Sequence, residues 1–338
     1  MIWVQFVVCT ALIVVAAGTL SRYGDVLAEK TGLGRTWMGA VVLAGATSLP
    51  ELVSGTSAVA WLDAPNLAVG SIFGSCLCNL ALIAIMDLAY QPGLILVNVQ
   101  EGHILSAGLG ILLTGVASAN ILLGPTFNRP AILGVGVTSL IIVVLYLVAM
   151  RLVFFFEKRR QVEFQAERAE KLEYAHIPAA RAYLMFGLGV LGVLVLGVWL
   201  SSIADQIAET TGLASSFVGN LFLATSTSLP EAVVSLAAIR LGALDLAVGN
   251  VLGSNLFNIA IIAVYDVAYR SGSLWASLQP VHAFAGLMVV AMSSVVIISL
   301  IYRTSPKTPY RFNWDGVALL VMYGFAMVML FVLAGLPV

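Results

Sequence analysis

Charge is scarce in this chain. Only 10% of its 338 residues are Asp, Glu, Lys or Arg, against about 25% in a typical soluble domain, and a water-exposed globule cannot be dressed with so few. Histidine and cysteine are as sparse, at three each. Cys9, Cys76 and Cys78 are odd in number and lie in apolar runs, which excludes a disulfide framework and leaves them as small hydrophobes. Cys76 and Cys78 are two apart, do not share a helix face, and cannot easily chelate one metal. Nucleic acid is excluded as a partner, because the one basic run, Lys158-Arg159-Arg160, sits in a polar stretch from Glu157 to Pro178 and fits a solvated loop beside a membrane. No basic region precedes the apolar run at the start, so residues 1–20 are expected to be a retained first helix and not a signal peptide.

Hydrophobic residues, by contrast, make up 60% of the chain. They fall into ten apolar runs separated by short polar breaks, near 1–21, 36–61, 66–90, 102–122, 130–156, 179–204, 215–240, 245–269, 278–303 and 314–337. Each is long enough for a membrane helix of about 20 residues. The expected fold is an all-α polytopic membrane protein of ten transmembrane helices. With the N-terminus outside, every lysine and arginine except Arg129 and Arg270 falls on the side read as cytoplasmic. By the positive-inside rule both termini are expected outside and the 157–178 loop inside.

One polar pentapeptide interrupts these runs twice. Thr47-Ser48-Leu49-Pro50-Glu51 recurs as Thr227-Ser228-Leu229-Pro230-Glu231, 180 residues later. The repeat extends further: Asp25–Leu33 answers to Asp205–Leu213, Leu67–Gly70 to Leu246–Gly249, Gly74-Ser75 to Gly253-Ser254 and Asn79 to Asn258. Asp87, Tyr90 and His103 answer to Asp266, Tyr269 and His282 in the same way. The chain divides into a five-helix repeat over 1–156, the loop 157–178 and a second repeat over 179–338. Five is odd, so the second copy enters the membrane from the opposite side, and the repeats are inverted. Inverted repeats with interrupted helices and a midplane site are typical of secondary transporters.

A carboxylate in hydrocarbon costs roughly 2.5–3.5 kcal/mol on insertion scales, so an intramembrane Glu marks a functional site by default. Pro50 and Pro230 lack the N–H a helix needs and open it beside each Glu. Thr47 and Glu51 are four apart, hence on one face, as are Ser75 with Asn79 and Ser254 with Asn258. Hydroxyl, amide, carboxylate and loosened carbonyl oxygens, without His or thiolate, suit hard cations such as sodium, calcium or magnesium. Gly70, Gly74, Gly249 and Gly253 have the small-xxx-small spacing of closely packed helices. Asp87, Asp266, His103 and His282 fall near expected helix ends, where capping or pairing explains them and a proton-coupling role is the alternative.

These two pentapeptides, followed by Gly74-Ser75-Cys76-Leu77-Cys78-Asn79 and Gly253-Ser254-Asn255-Leu256-Phe257-Asn258, closely resemble the alpha repeats of the sodium/calcium exchangers in the calcium/cation antiporter superfamily. The resemblance implies that Glu51 and Glu231 are central ligands shared by calcium and sodium. It implies calcium-holding roles for Thr47 and Thr227, and sodium sites at Ser48, Ser75, Ser228 and Ser254. It further implies flanking carbonyl ligands at Ala44 and Ala224, with Asn79 and Asn258 facing the middle. The chain departs from the family pattern in having Ala46 and Ser226 before Thr-Ser, where Gly is usual, and Asn258 where many relatives have Asp.

The implied function is secondary active antiport of calcium against sodium by alternating access, in the plasma (cell inner) membrane. No cofactor and no obligate protein partner is called for; the partners are the bilayer, calcium and sodium, with protons as an alternative counter-ion. Calcium/proton or other divalent-cation exchange is the second reading. An intramembrane hydrolase with paired carboxylates and a passive cation channel are the readings from other classes.

Overall fold

The computed structural model describes residues 2–90, 94–124, 130–132, 135–165, 174, 176–210, 227–302 and 314–334. Its helices are α1 (Ile2–Thr31), α2 (Arg35–Thr47), α3 (Leu49–Trp61), α4 (Pro65–Ala89), α5 (Gly102–Leu123), α6 (Val137–Gln165), α7 (Ala179–Thr210), α8 (Leu229–Arg240), α9 (Leu244–Ala268), α10 (Val281–Tyr302) and α11 (Trp314–Ala334). Eight of these are long and apolar enough to cross a membrane, and α2 with α3 adds a ninth span bent by 42° at its break, among the described residues.

Two helices form the centre. The most apolar windows of α4 and α9 are 72% and 83% buried, whereas those of α1, α6, α7 and α11 are 17–22% buried. A helix apolar all round belongs either in a core or in lipid, and these values sort the two cases. Val4, Val7, Leu184, Leu188, Val321 and Val328 are exposed hydrophobics of the outer helices, the surface a bilayer covers. Helix α9 packs against α2 without spacers: a Cβ on Gly249 would lie 2.9 Å from the Thr36 carbonyl, and one on Gly253 would strike the Ala40 backbone. Glycine at these two positions lets α9 touch α2 backbone to backbone.

Outside the centre, α1 runs against α7 and α8, and α5 against α10. The α1–α7 seam is built from small residues, with Gly189 close to Leu20 and Gly192 close to Ala16. At its far end α1 is held by polar contacts. Asp25 pairs with Arg35, the Tyr174 hydroxyl donates to Asp25 Oδ2 (2.9 Å), and Lys30 Nζ donates to the Tyr174 carbonyl (3.1 Å).

Several expected boundaries are corrected. Helix α1 runs ten residues past 21, because the charges that marked an end are absorbed locally: Asp25 has Arg35 as its partner. Helix α6 continues to Gln165, into the stretch read as loop from 157; Glu, Lys, Arg and Gln are good helix formers even where hydropathy ends. The chain is nearly but not wholly helical. Pro130–Ile132 and Val135–Gly136 pair as a two-stranded antiparallel hairpin ahead of α6, where a span from 130 was expected.

The repeated helix-end residues are all engaged. Asp87 Oδ1 accepts the Ile95 N–H (2.6 Å). Asp266 Oδ2 accepts the Gly136 N–H (2.8 Å) and the Ser139 hydroxyl (2.6 Å). His103 Nε2 meets Asp245 Oδ1 at 3.0 Å, and His282 Nε2 meets Asn66 Oδ1 at 3.1 Å. These are the capping and pairing roles expected of them.

Candidate functional site

Both pentapeptides start a helix in the same way, the first after a break in a longer span; residues 211–226, where the expected seventh span begins, lie outside the described residues. Proline occupies the first turn of α3 and of α8, where its missing N–H has no partner to lose. The residue just before the start is a serine in each case, Ser48 at φ −89°, ψ 6° and Ser228 at φ −84°, ψ 0°. Beyond it the backbone resumes identically: Leu52 N–H reaches the Ser48 carbonyl and Ala232 N–H the Ser228 carbonyl, each at 3.2 Å. Glu51 and Glu231 thus sit in the first turns of two half-helices, whose N-terminal dipole ends favour a carboxylate.

The candidate residues converge. Ala44, Thr47, Ser48, Glu51, Ser75, Asn79, Thr227, Ser228, Glu231, Ser254 and Asn258 are all buried, none more than 3% exposed. Ser48 Oγ donates to Glu231 Oε1 at 3.0 Å, joining the first broken helix to the second carboxylate. Ser228 Oγ donates to Ser75 Oγ at 2.9 Å, and Thr47 Oγ1 lies 3.4 Å from Ser254 Oγ. The Ser75 and Thr227 hydroxyls lie beside Glu51, and the two carboxylates are near enough to repel each other. The Ala44 carbonyl accepts the Ser48 N–H at 3.0 Å and faces the Thr47 hydroxyl at 3.3 Å. Ala224 lies outside the described residues.

Several polar atoms in this cluster find no hydrogen-bond partner among the described residues. Both carboxylate oxygens of Glu51, Glu231 Oε2, Asn79 Oδ1 and the whole Asn258 side-chain amide are buried and unpartnered. In folded proteins more than about 90% of buried polar groups are paired, so orphans gathered at one point mark a place where something else binds. Among the described residues no group of three or more His, Cys, Asp or Glu that could hold a metal ion is present; the donors gathered here are carboxylate, amide, hydroxyl and carbonyl oxygens, the kind that suit a hard cation.

Two neighbours, Asn250 and Tyr265, escaped the sequence reading, and two others, Asn255 and Gly197, make contacts it did not assign. Asn250 Oδ1 faces Thr47 Oγ1 at 3.3 Å, and Tyr265 OH donates to the Glu51 carbonyl at 2.7 Å. Asn255 Oδ1 accepts from Asn79 Nδ2 at 3.1 Å. Gly197 of α7 touches the break itself: a Cβ there would lie 2.5 Å from Pro50 Cγ and 3.6 Å from Pro230 Cγ. The one available signal was mismatch, since Asn250 and Asn255 stand where the first repeat has Ser71 and Cys76.

A bent intramembrane pair of half-helices carrying buried oxygen donors defines a membrane transport fold. A family model described as sodium/calcium exchanger protein matches residues 1–157 and 181–332, and the chain belongs to that family. It is 27% identical to the inner membrane protein YrbG of Escherichia coli over 93% of this chain and 91% of that one. To the sodium/calcium exchanger MaX1 of Methanosarcina acetivorans it is 32% identical over 37% of this chain and 33% of that one. Its fold matches a solved sodium/calcium exchanger from Methanococcus jannaschii at a TM-score of 0.71 and 20% identity, covering 97% and 99% of the two chains. The family is one of exchangers and not of enzymes, which removes the hydrolase reading.

Proposed function

We propose that this protein is a secondary active antiporter that exchanges calcium for sodium by alternating access. The observation that carries the reading is the set of unpartnered oxygens of Glu51, Glu231, Asn79 and Asn258, buried together at two helix breaks. Glu51 and Glu231 are the ligands common to both ions. Thr47 and Thr227 help hold calcium, Ser48, Ser75, Ser228 and Ser254 serve sodium, and the Ala44 and Ala224 carbonyls flank the sodium sites. The Ala44 carbonyl accepts the Ser48 N–H at 3.0 Å and faces the Thr47 hydroxyl at 3.3 Å, so a lone pair is free for that role when the Thr47 proton turns elsewhere.

In the same reading the chain has ten transmembrane helices in two inverted five-helix repeats, residues 1–156 and 179–338, joined by the 157–178 segment on the cytoplasmic side. Both termini face outward from the plasma membrane. The matching break dihedrals and the recurrent helix order support this arrangement. No cofactor takes part; the partners are the two ions and the bilayer.

The site's charge explains coupling. With amides at Asn79 and Asn258, its formal charge comes from Glu51 and Glu231 alone, and moving an unneutralised buried pair costs several kcal/mol per ion. Calcium cancels that charge, as do two sodium ions or two protons, so an empty site cannot switch sides. Neutralisation by two protons keeps calcium/proton exchange as the second reading. Calcium uptake into proteoliposomes, driven first by an outward sodium gradient and then separately by a proton gradient, distinguishes them. Sodium-driven uptake is expected; uptake driven only by protons would overturn the first reading.

A further inference from the structure

The two halves of the site are near copies in sequence, yet one helix holds both. The Tyr265 hydroxyl of α9 donates to the Glu51 carbonyl at 2.7 Å, and its ring end occupies the space that a Cβ on Gly55 would need. The Asn250 side chain, also on α9 and fully buried, spans the two broken helices. Its Nδ2 donates to Ser235 Oγ at 3.0 Å and faces the Glu231 carbonyl at 3.5 Å, while its Oδ1 faces Thr47 Oγ1 at 3.3 Å. At the repeat-equivalent positions α4 carries Ser71 and Met86, and opposite Gly55 the second repeat has Ser235. A methionine has no donor for a carbonyl, and a serine is too short to span two helices as an amide does.

The direction of the Asn250 amide follows from its neighbours. A backbone carbonyl only accepts, so the amide nitrogen faces Glu231 and the amide oxygen is turned to Thr47. That orientation decides the polarity of the Thr47 hydroxyl. Thr47 also lies beside the Glu231 carboxylate, which is the stronger acceptor for its single proton. When a cation sits on that carboxylate the proton turns to a neighbouring acceptor. Three are in reach: Asn250 Oδ1 and the Ala44 carbonyl, each at 3.3 Å, and Ser254 Oγ at 3.4 Å. The Ala44 carbonyl already accepts the Ser48 N–H at 3.0 Å, so the Asn250 amide oxygen is the better acceptor, and a proton turned to it leaves a Thr47 lone pair toward the cation.

We infer that Asn250 and Tyr265 are positioning residues of the cation site, acting from α9 on both half-helices: Asn250 sets the hydroxyl polarity of Thr47, and Tyr265 holds the Glu51 carbonyl. This rests on the reading of Thr47 and Glu51 as cation ligands. It makes the site asymmetric beneath its repeat, since α4 carries Ser71 and Met86 in place of the amide and the phenol.

Calcium binding by equilibrium dialysis on the detergent-purified full chain tests it without any ion gradient. Asn250→Ser, which installs the first repeat's residue, is expected to weaken calcium binding about tenfold, the effect of losing one orienting hydrogen bond. In a Thr47→Val background the same change is expected to cost less than about twofold, because its target is gone. Tyr265→Phe, which keeps the ring beside Gly55, is expected to weaken binding severalfold at an unchanged melting temperature. Ser71→Ala and Met86→Leu are expected to leave binding within about twofold. A full tenfold loss from Asn250→Ser in the Thr47→Val background would overturn the inference by making Asn250 merely structural. Unchanged binding in Tyr265→Phe, which stays informative if Asn250→Ser does not fold, would overturn it equally. So would equal losses at Ser71 and Met86. Because no gradient is used, failure of sodium coupling in proteoliposomes strikes the exchange reading alone, and normal exchange with unchanged variants strikes this inference alone.

Discussion

Glu51 and Glu231 are the two residues on which the proposed chemistry turns, and each is buried with at least one oxygen that no group among the described residues satisfies. In the proposed reading each carboxylate is the buried counter-charge of a bound cation, and removing one partner of a buried opposite-charge pair costs about 3–5 kcal/mol. Glu51→Gln or Glu231→Gln is therefore expected to lower gradient-driven calcium flux by more than about a hundredfold while the protein still folds and inserts. Flux near the wild-type level in either variant would make these carboxylates structural. Gly55→Ala is a test of packing: the added methyl would overlap the Tyr265 hydroxyl, and overpacking costs about 1–3 kcal/mol. A thermal melt should show the loss; an unchanged melting temperature would mean that Tyr265 has room to move. At these positions the sequence was informative because a carboxylate beside a proline in an apolar run has few explanations. Asn250 and Tyr265 were not legible, because their partners, Thr47 and Glu51, lie 203 and 214 residues away.

Among the helices, α1 and α7 differ from the rest. They bury little of their most apolar windows, meet each other through small residues, and reach the breaks through Gly197. A pair packed by small side chains has few interlocking ridges to climb, which suits sliding across the core. The α1 end is tied by Asp25–Arg35 and by Tyr174, so a slide must carry or break those contacts. Gly24 of α1 faces Leu43 of α2, with a Cβ on the glycine 2.8 Å from Leu43 Cδ1. In a chain freed of Cys9, Cys76 and Cys78, a disulfide between Gly24→Cys and Leu43→Cys is expected to stop exchange and spare calcium binding, with turnover restored on reduction. Undiminished turnover in the fully crosslinked form would remove α1 as a moving element. The central spans were readable to within a few residues, because they are bounded by Pro65, Gly102 and the polar turn near Gly242. The ends of α1 and α6 were not, since hydropathy measures lipid contact and a helix needs none to continue.

For the molecule as a whole, the proposed orientation rests on the lysine and arginine asymmetry of the sequence. Lys158 is expected to react with an impermeant amine reagent only from the cytoplasmic face, and tags on both termini only from outside; termini on opposite faces would exclude ten spans. The account as a whole requires that calcium and sodium compete for one doubly negative site and that neither crosses alone. Its most direct test is the voltage at which net calcium flux through the reconstituted protein vanishes, measured at several sodium gradients. The family resemblance implies three sodium ions per calcium, the third held by neutral oxygens, with an electroneutral two-for-one cycle as the rival. The expected result is a reversal voltage that moves with the sodium gradient at the three-sodium slope; an equilibrium indifferent to voltage would select the two-for-one cycle. A calcium flux indifferent to sodium at every voltage would contradict the account.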